Sequence, residues 1–273
     1  MAHDDEATQT AGSATAVRQT RQITITPIEG LPLFQAGQDL AGLVAAAIRV
    51  QRGQLADGDV VVFAQKVVSK VEDRTVSLGA VTPGAAARAA AATAQKDPAV
   101  VELIMAEAAE LMRVVPGVII TRHRTGHVLA NAGIDASNVA ETSADNVLLW
   151  PANPDASAAR LRLALEAEFG VRLAVVISDS LGRAWRMGTV GTAIGVSGLK
   201  PLRDRRGESD LFGRELQATV IGVADEIAAA ASLAIGEAAE GTPVAIVSGA
   251  AYDPDPNEGI AELLRPLDKD LFR

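Results

Sequence analysis

Cysteine is missing from all 273 residues, which excludes disulfides, thiolate zinc sites and iron–sulfur clusters and leaves oxygen to bind any metal. That absence fits a reducing cytoplasm, where the chain is expected to work. Aromatic residues amount to only 3%, so the core must be built from Val, Ile, Leu and Ala, and ring platforms for stacking single-stranded nucleic acid are poorly supplied. Positive charge is in the minority, 25 Lys and Arg against 34 Asp and Glu for a net charge of -9, and such a surface repels a phosphate backbone. No nucleic-acid partner is expected. No window reaches the roughly 18 consecutive apolar residues of a membrane span, and the N-terminus lacks the basic-then-apolar order of a secretory signal. Neither a membrane partner nor export is expected.

What is present is a chain 48% hydrophobic, able to bury a sizeable core as one large domain or two ordinary ones. Residues 1–21 show no apolar period and are expected to be a disordered tail, leaving 22–273 as the folded unit. "ITITPIEGLP" reads as a strand running into a turn, and "DLAGLVAAAIRVQ" as a helix capped by Asp39. "DGDVVVFAQKVVSK" gives a turn and a buried strand; "PGAAARAAAATAQK" and "AVVELIMAEAAELMR" give two helices parted by Asp97-Pro98. "GVIITR" and "HVLANAGI" form a hairpin, followed by a helix over 156–168, the strand "RLAVVIS", a glycine-rich segment to Gly198, and a long helix over 218–239. The strand "PVAIVSG" and a helix near 257–264 close the chain. This predicts a mixed α/β fold, neither solenoid nor TIM barrel, with lobe boundaries at Leu149–Asn153 and Pro201–Gly207.

In "VVISDSLGRAWRMGTVGTAIG" an apolar strand ends on Asp179, where α/β proteins commonly place ligands. A turn or helix cap shared with Ser180 would account for the same residue. Arg183 and Arg186 follow, and Arg203, Arg205, Arg206 and Arg214 add a basic concentration that suits an anionic substrate. Gly182, Gly188, Gly191, Gly195 and Gly198 either punctuate turns or let backbone amides approach an anion. In "NAGIDASNV", Asp135 and Asn138 offer oxygens three apart, suited to a hard cation, a sugar hydroxyl or simply a turn. Glu237 reads first as a solvated helix residue. His123 and His127 read as surface or packing residues rather than zinc ligands, because a hairpin turn separates them and no H-E-x-x-H occurs. Walker A, Rossmann and G-x-S-x-G patterns are all absent from the sequence.

Six ordered segments carry a resemblance: "EGLPLFQAGQDL", "DGDVVVFAQKVVSK", "NAGIDASNV", "SDSLGRAWRMGTVGTAIGVSG", "DLFGRELQATVIGVADEIAAAA" and "GEAAEGTP". From about Ile23 to beyond Val247 the chain resembles the coenzyme F-420-0 gamma-glutamyl ligases. The resemblance implies a family-specific, intertwined homodimeric fold. It also implies a GTP-dependent ligase joining L-glutamate to a deazaflavin precursor, with one or two Mg²⁺ or Mn²⁺ ions and K⁺. It places metal ligands on Asp135, Asp179 and Glu237, with Ser180 where relatives often have threonine. Nucleotide contacts fall on Leu31, Pro32, Leu33, Phe34, Lys70, Asn138 and the Ile235–Thr242 loop, including Gly236 and Gly241. Gln65-Lys66 replaces a Ser-Thr pair of some relatives, a departure at the nucleotide contacts, although Lys66 could still reach a phosphate; Ala184 replaces a proline. Some bacterial relatives continue into a flavin-binding reductase-like domain, which these residues are not expected to include.

The expected chemistry is phosphorylation of the precursor carboxylate by GTP, then attack of the glutamate amine on the acyl phosphate. The carboxylates would hold the cations, and Lys70, Arg183 and Arg186 would cover the remaining negative charge. The alternatives are a metal-dependent nucleotide hydrolase and a non-catalytic deazaflavin-binding protein.

Overall fold

The computed structural model describes residues 22–136 and 145–270; the expected N-terminal tail and Asn138 lie outside the described residues. In chain order the elements are β1 (Thr24–Pro27), α1 (Leu40–Gln51), β2 (Val60–Ala64), α2 (Gln65–Val71), β3 (Thr75–Ser77), α3 (Ala85–Ala94), α4 (Pro98–Glu107), β4 (Ala108–Val115), β5 (Val118–His123) and β6 (Val128–Ala130). They continue as β7 (Asn146–Leu148), α5 (Pro154–Phe169), β8 (Ala174–Arg183), β9 (Arg186–Ser197), β10 (Leu202–Asp204), β11 (Val220–Gly222), α6 (Val223–Ile235) and β12 (Val244–Ser248).

Helix starts follow local chemistry. Asp39 accepts from the Gly42 N–H, Asp97 from Ala99 ahead of Pro98, and Asn153 from Ala156 ahead of Pro154. Each satisfies an amide that the first helical turn would leave unpaired.

The main sheet has the order β1-β12-β2-β8-β9, with β2 and β8 parallel and the other neighbours antiparallel. Both faces of its central strands are covered. Alternation sends Val61, Phe63, Val175 and Ile177 into the cluster that holds Val44 and Ile48 of α1 and Leu161 and Leu165 of α5. Val60, Val62, Ala174 and Val176 enter the opposite cluster, against Ala224, Ala228 and Ala231 of α6. Helix α6 can lie this close because β9 offers Gly191, where a Cβ would stand 2.6 Å from the Ala228 carbonyl oxygen. The N–H groups of Ala193 and Val196 on the edge strand β9 are taken by Asp225 and Asp155, which blunts that edge against pairing with another chain. A smaller core of Ala87, Ala91, Val101, Ile104 and Ile119 joins α3 and α4 to the β4-β5-β6 sheet. The mixed α/β class and the aliphatic core agree with the sequence.

Four expectations change. The helix predicted through "AAELMR" stops at Glu107, and Ala108–Val115 is a strand paired with β5 across the Pro116-Gly117 turn. Cross-strand pairing there overrides helical propensity. The helix predicted over 218–239 is shorter, because Val220–Gly222 pairs with β10 and Gly236, at φ 76, ends α6. The last predicted helix is only a 3-10 turn, Ile260–Leu263. The glycine-rich segment is itself the strand β9, so Asp179 lies inside β8 rather than after it.

Candidate functional site

The directions of four strands bring the nominated segments to one margin of the main sheet. Ala64 at the end of β2 pairs with Ser178 of β8, Phe63 with Val244 at the start of β12, and Ala245 with Pro27 at the end of β1. Beyond this margin lie α2 with Lys66 and Lys70, the Asp179-Ser180 stretch of β8, the loop carrying Glu237 into β12, and the Leu31–Phe34 loop. The carboxyl ends of parallel strands are where such sheets leave room for a ligand.

Lys66 Nζ stands 2.8 Å from Asp135 Oδ2. Asp179 is held from two sides: Trp150 Nε1–H donates to its Oδ2 at 2.7 Å, and the Ser180 backbone N–H to its Oδ1 at 2.8 Å. Burial pushes the Asp179 carboxyl above the usual range and the negative charge of Asp135 adds to this, while the two donors and the Lys66 ammonium work against it. Asp135, Lys66 and Asp179 are thus electrostatic neighbours. Because successive side chains of a strand point to opposite faces, Ser180 turns the other way and its hydroxyl donates to Glu237. Burial, then the charge of Lys66, lowers Lys70, one helical turn further along α2.

Behind Asp179 lies a buried polar cluster. The Trp150 indole packs against His123 at 4.9 Å and His127 at 5.4 Å between ring centres, and Thr125 Oγ1 bridges the two Nδ1 atoms at 2.8 and 2.9 Å. Both histidines are buried, so the packing role holds and the surface alternative does not. Glu107 faces Arg74 at 3.1 Å and Arg124 at 2.8 Å. Burial alone would raise its carboxyl, but His123, Arg124 and Arg74 outweigh burial and lower it.

Other nominated residues sit apart from this centre. Arg183 and Arg186 face each other across the exposed tip of the β8–β9 hairpin, and four residues of strand put Arg183 roughly 13 Å from Asp179. Within the described residues they do not converge on the carboxylates. Phe34 belongs to the core and Leu31 packs against it, whereas Pro32 and Leu33 are exposed. The Thr242 hydroxyl donates to the Ala234 and Ile235 carbonyls and so closes the end of α6; Gly236 and Gly241 turn the loop at φ 76 and 72. Among the described residues no three His, Asp or Glu side chains stand close enough together to hold a metal ion. The acids form two groups instead, Asp135 with Asp179 and Glu237 with Ser180. Sequence reasoning passed over Trp150, one of two tryptophans in the chain, whose single sequence signal is a lone ring ending the apolar run "VLLW".

A sequence profile of the F420-0:Gamma-glutamyl ligase family matches residues 30–249. A protein named Coenzyme F420:L-glutamate ligase from Methanothermobacter thermautotrophicus is 44% identical over 92% of this chain and 99% of its own length. Its namesake in Methanocaldococcus jannaschii is 40% identical over 94% and 99%, and that of Halobacterium salinarum 43% over 90% and 94%. With most of its length aligned in each comparison, the chain belongs to the F420-0:gamma-glutamyl ligase family.

Proposed function

We propose that this enzyme is a ligase that joins L-glutamate through an amide bond to the deazaflavin coenzyme F420-0, with GTP as the energy source. The observation that carries the reading is the meeting of Lys66, Asp135, Asp179, Ser180 and Glu237 at one margin of the main sheet, together with the names of the relatives.

An amide does not form from a free carboxylate in water without activation. In the reaction proposed, a carboxylate oxygen of the precursor attacks the γ-phosphorus of GTP, the bond to the β-phosphate oxygen breaks, and GDP leaves. The glutamate amine then attacks the acyl carbon, the amide forms, and phosphate departs as the amine loses its proton. Such transfers ask the protein chiefly to position the reactants and offset charge. Lys66 and Lys70 suit the second task, and an anionic phosphate beside Lys70 would oppose the burial and the Lys66 ammonium that lower it.

The donors also fit a hard divalent cation in kind, since all are oxygens, and positive charge already stands against Asp135 in the form of Lys66. Asp135 and Asp179 would hold one such ion and Glu237 with Ser180 a second. When bound, Mg²⁺ or Mn²⁺ supplies neutralisation of nucleotide phosphate charge; the same oxygen-rich margin is where K⁺ would bind. Arg183 and Arg186 act at the partner's site in a homodimer, because Trp185 and Met187 beside them are 89% and 95% exposed and suit burial by a second copy. Among the described residues, no helix is long and apolar enough to cross a membrane.

One assay decides the reading. The protein is incubated with precursor, GTP, Mn²⁺ and L-glutamate, and products are followed by mass spectrometry. Glutamate-mass additions that vanish without GTP are expected. GTP cleavage without added glutamate would make it a nucleotide hydrolase, and precursor binding without GTP consumption a deazaflavin carrier.

A further inference from the structure

The indole of Trp150 touches both segments that carry the paired acids. On one side its Nε1–H donates to Asp179 Oδ2 at 2.7 Å. On the other it presses against Gly133, where a Cβ would lie 2.4 Å from Nε1 and 2.5 Å from Cε2, so no residue with a side chain fits. Gly133 precedes Asp135 by two residues, and Asp135 exchanges both backbone hydrogen bonds with Leu148, two residues before Trp150, at 3.0 and 2.8 Å. The ring cannot turn away. It is fully buried, His123 and His127 pack against it, and the main-chain carbonyl of Trp150 accepts from Arg74 Nε at 2.8 Å.

A tryptophan needed only to fill space would leave its N–H on any nearby carbonyl. Here the N–H takes one oxygen of a partly exposed carboxylate whose other oxygen already holds the Ser180 amide. Two donors on different oxygens fix the plane of the carboxylate, within electrostatic reach of Asp135 and Lys66.

We propose that Trp150 is a positioning residue that sets the spacing and orientation of Asp179 relative to Asp135, and thereby the fit of a divalent cation between them. The inference rests on the metal-assisted ligase reading above. Outer partners of metal-binding carboxylates are commonly worth 10- to 100-fold in affinity or activity.

The test is Trp150→Phe, which keeps an aromatic ring and removes the donor. Mn²⁺ binding to the full-length protein is followed through the electron paramagnetic resonance signal of the free ion, alongside kcat, KM for the precursor and the melting temperature. At least a tenfold weaker Mn²⁺ affinity is expected, with a lower kcat, an unchanged KM and a folded protein. In the Asp179→Asn background the same replacement adds no further loss. Should Trp150→Phe hold Mn²⁺ within twofold of the parent while Asp179→Asn loses it, the inference fails and the ligase reading stands. Should Asp179→Asn also bind Mn²⁺ and turn over normally, the metal reading fails and takes the inference with it.

If Trp150→Phe does not fold, the unaltered protein supplies the answer. Its two tryptophans give two indole N–H resonances, and Trp185→Phe identifies the exposed one. Mg²⁺ must shift the Trp150 signal; a Trp150 resonance that stays put at saturating Mg²⁺ overturns the inference.

Discussion

Lys66 and Asp135 form a 2.8 Å ion pair that joins the first turn of α2 to the segment after the Asn131–Gly133 turn. On the proposed reading the ammonium occupies an Asp135 oxygen that a divalent cation would need, and the two compete for it. Lys66→Met should bind Mn²⁺ about tenfold more tightly without nucleotide, since removing an adjacent like charge at the protein surface is worth roughly 1 kcal/mol or more. On the same reading GTP binding should weaken in this variant, because one of the two lysines assigned to the phosphates is gone. Calorimetric titration of both ligands checks the pair of effects, and parallel losses of both affinities would contradict the competition.

Asp179→Ala should lower turnover by at least ~10²-fold, the usual scale for removing a group that stabilises developing charge. The fold should survive at a cost of about 1–3 kcal/mol, since the strand pairing of β8 does not depend on the side chain while the buried Trp150 N–H loses its acceptor. Turnover measured beside far-ultraviolet circular dichroism separates the two effects; wild-type turnover would remove Asp179 from the site.

Gly133→Ala should destabilise the protein by at least about 2 kcal/mol, combining a left-handed backbone with a clash in a packed interior. Its φ is +70 and the added Cβ would meet Trp150, whereas Gly117, at φ +87, has nothing within 4 Å. Gly117→Ala is accordingly the milder control, near 1 kcal/mol for the backbone alone. Urea unfolding of the two variants should rank them in that order.

His127 sets an acid limit on stability. Burial, with a smaller contribution from His123, lowers it from 6.5 to about 4, against a backbone contact from Ala193 that opposes the shift. The unfolded chain takes up the proton first as pH falls, so stability is complete above pH 6.5 and is lost on descending toward pH 4. The shift corresponds to about 3 kcal/mol. The stability difference between the parent and His127→Gln, measured by denaturation from pH 7 to pH 4, should shrink by that order; a constant difference would show that His127 does not titrate this way.

Much of the site was legible because its residues are chemically specific. The apolar run ahead of Asp179 singled that residue out, whereas Asp135 read equally as part of a turn and Glu237 as a solvated helix residue, so that the family resemblance alone grouped the three acids. Arg183 and Arg186 read in sequence as close companions of Asp179, whereas an extended β8 and its hairpin carry them away from the carboxylate of their own chain. Trp150 was silent, since a tryptophan's hydrogen-bond partner depends on a residue 29 positions away.

By itself the sequence determined composition and local order: an aliphatic core, an acidic surface, oxygen as the donor for any metal, and helices begun by Asp39, Asp97 and Asn153. These depend on side chains and their near neighbours. Tertiary structure alone decided that Ala108–Val115 is a strand, that Asp179 and Ser180 face opposite sides of the sheet, and that one buried indole touches both Asp179 and Gly133, two residues before Asp135. Strand pairing, register and packing set each of those outcomes, whether with the neighbouring strand β5 or with a residue 29 positions away, and no single residue's preference encodes them.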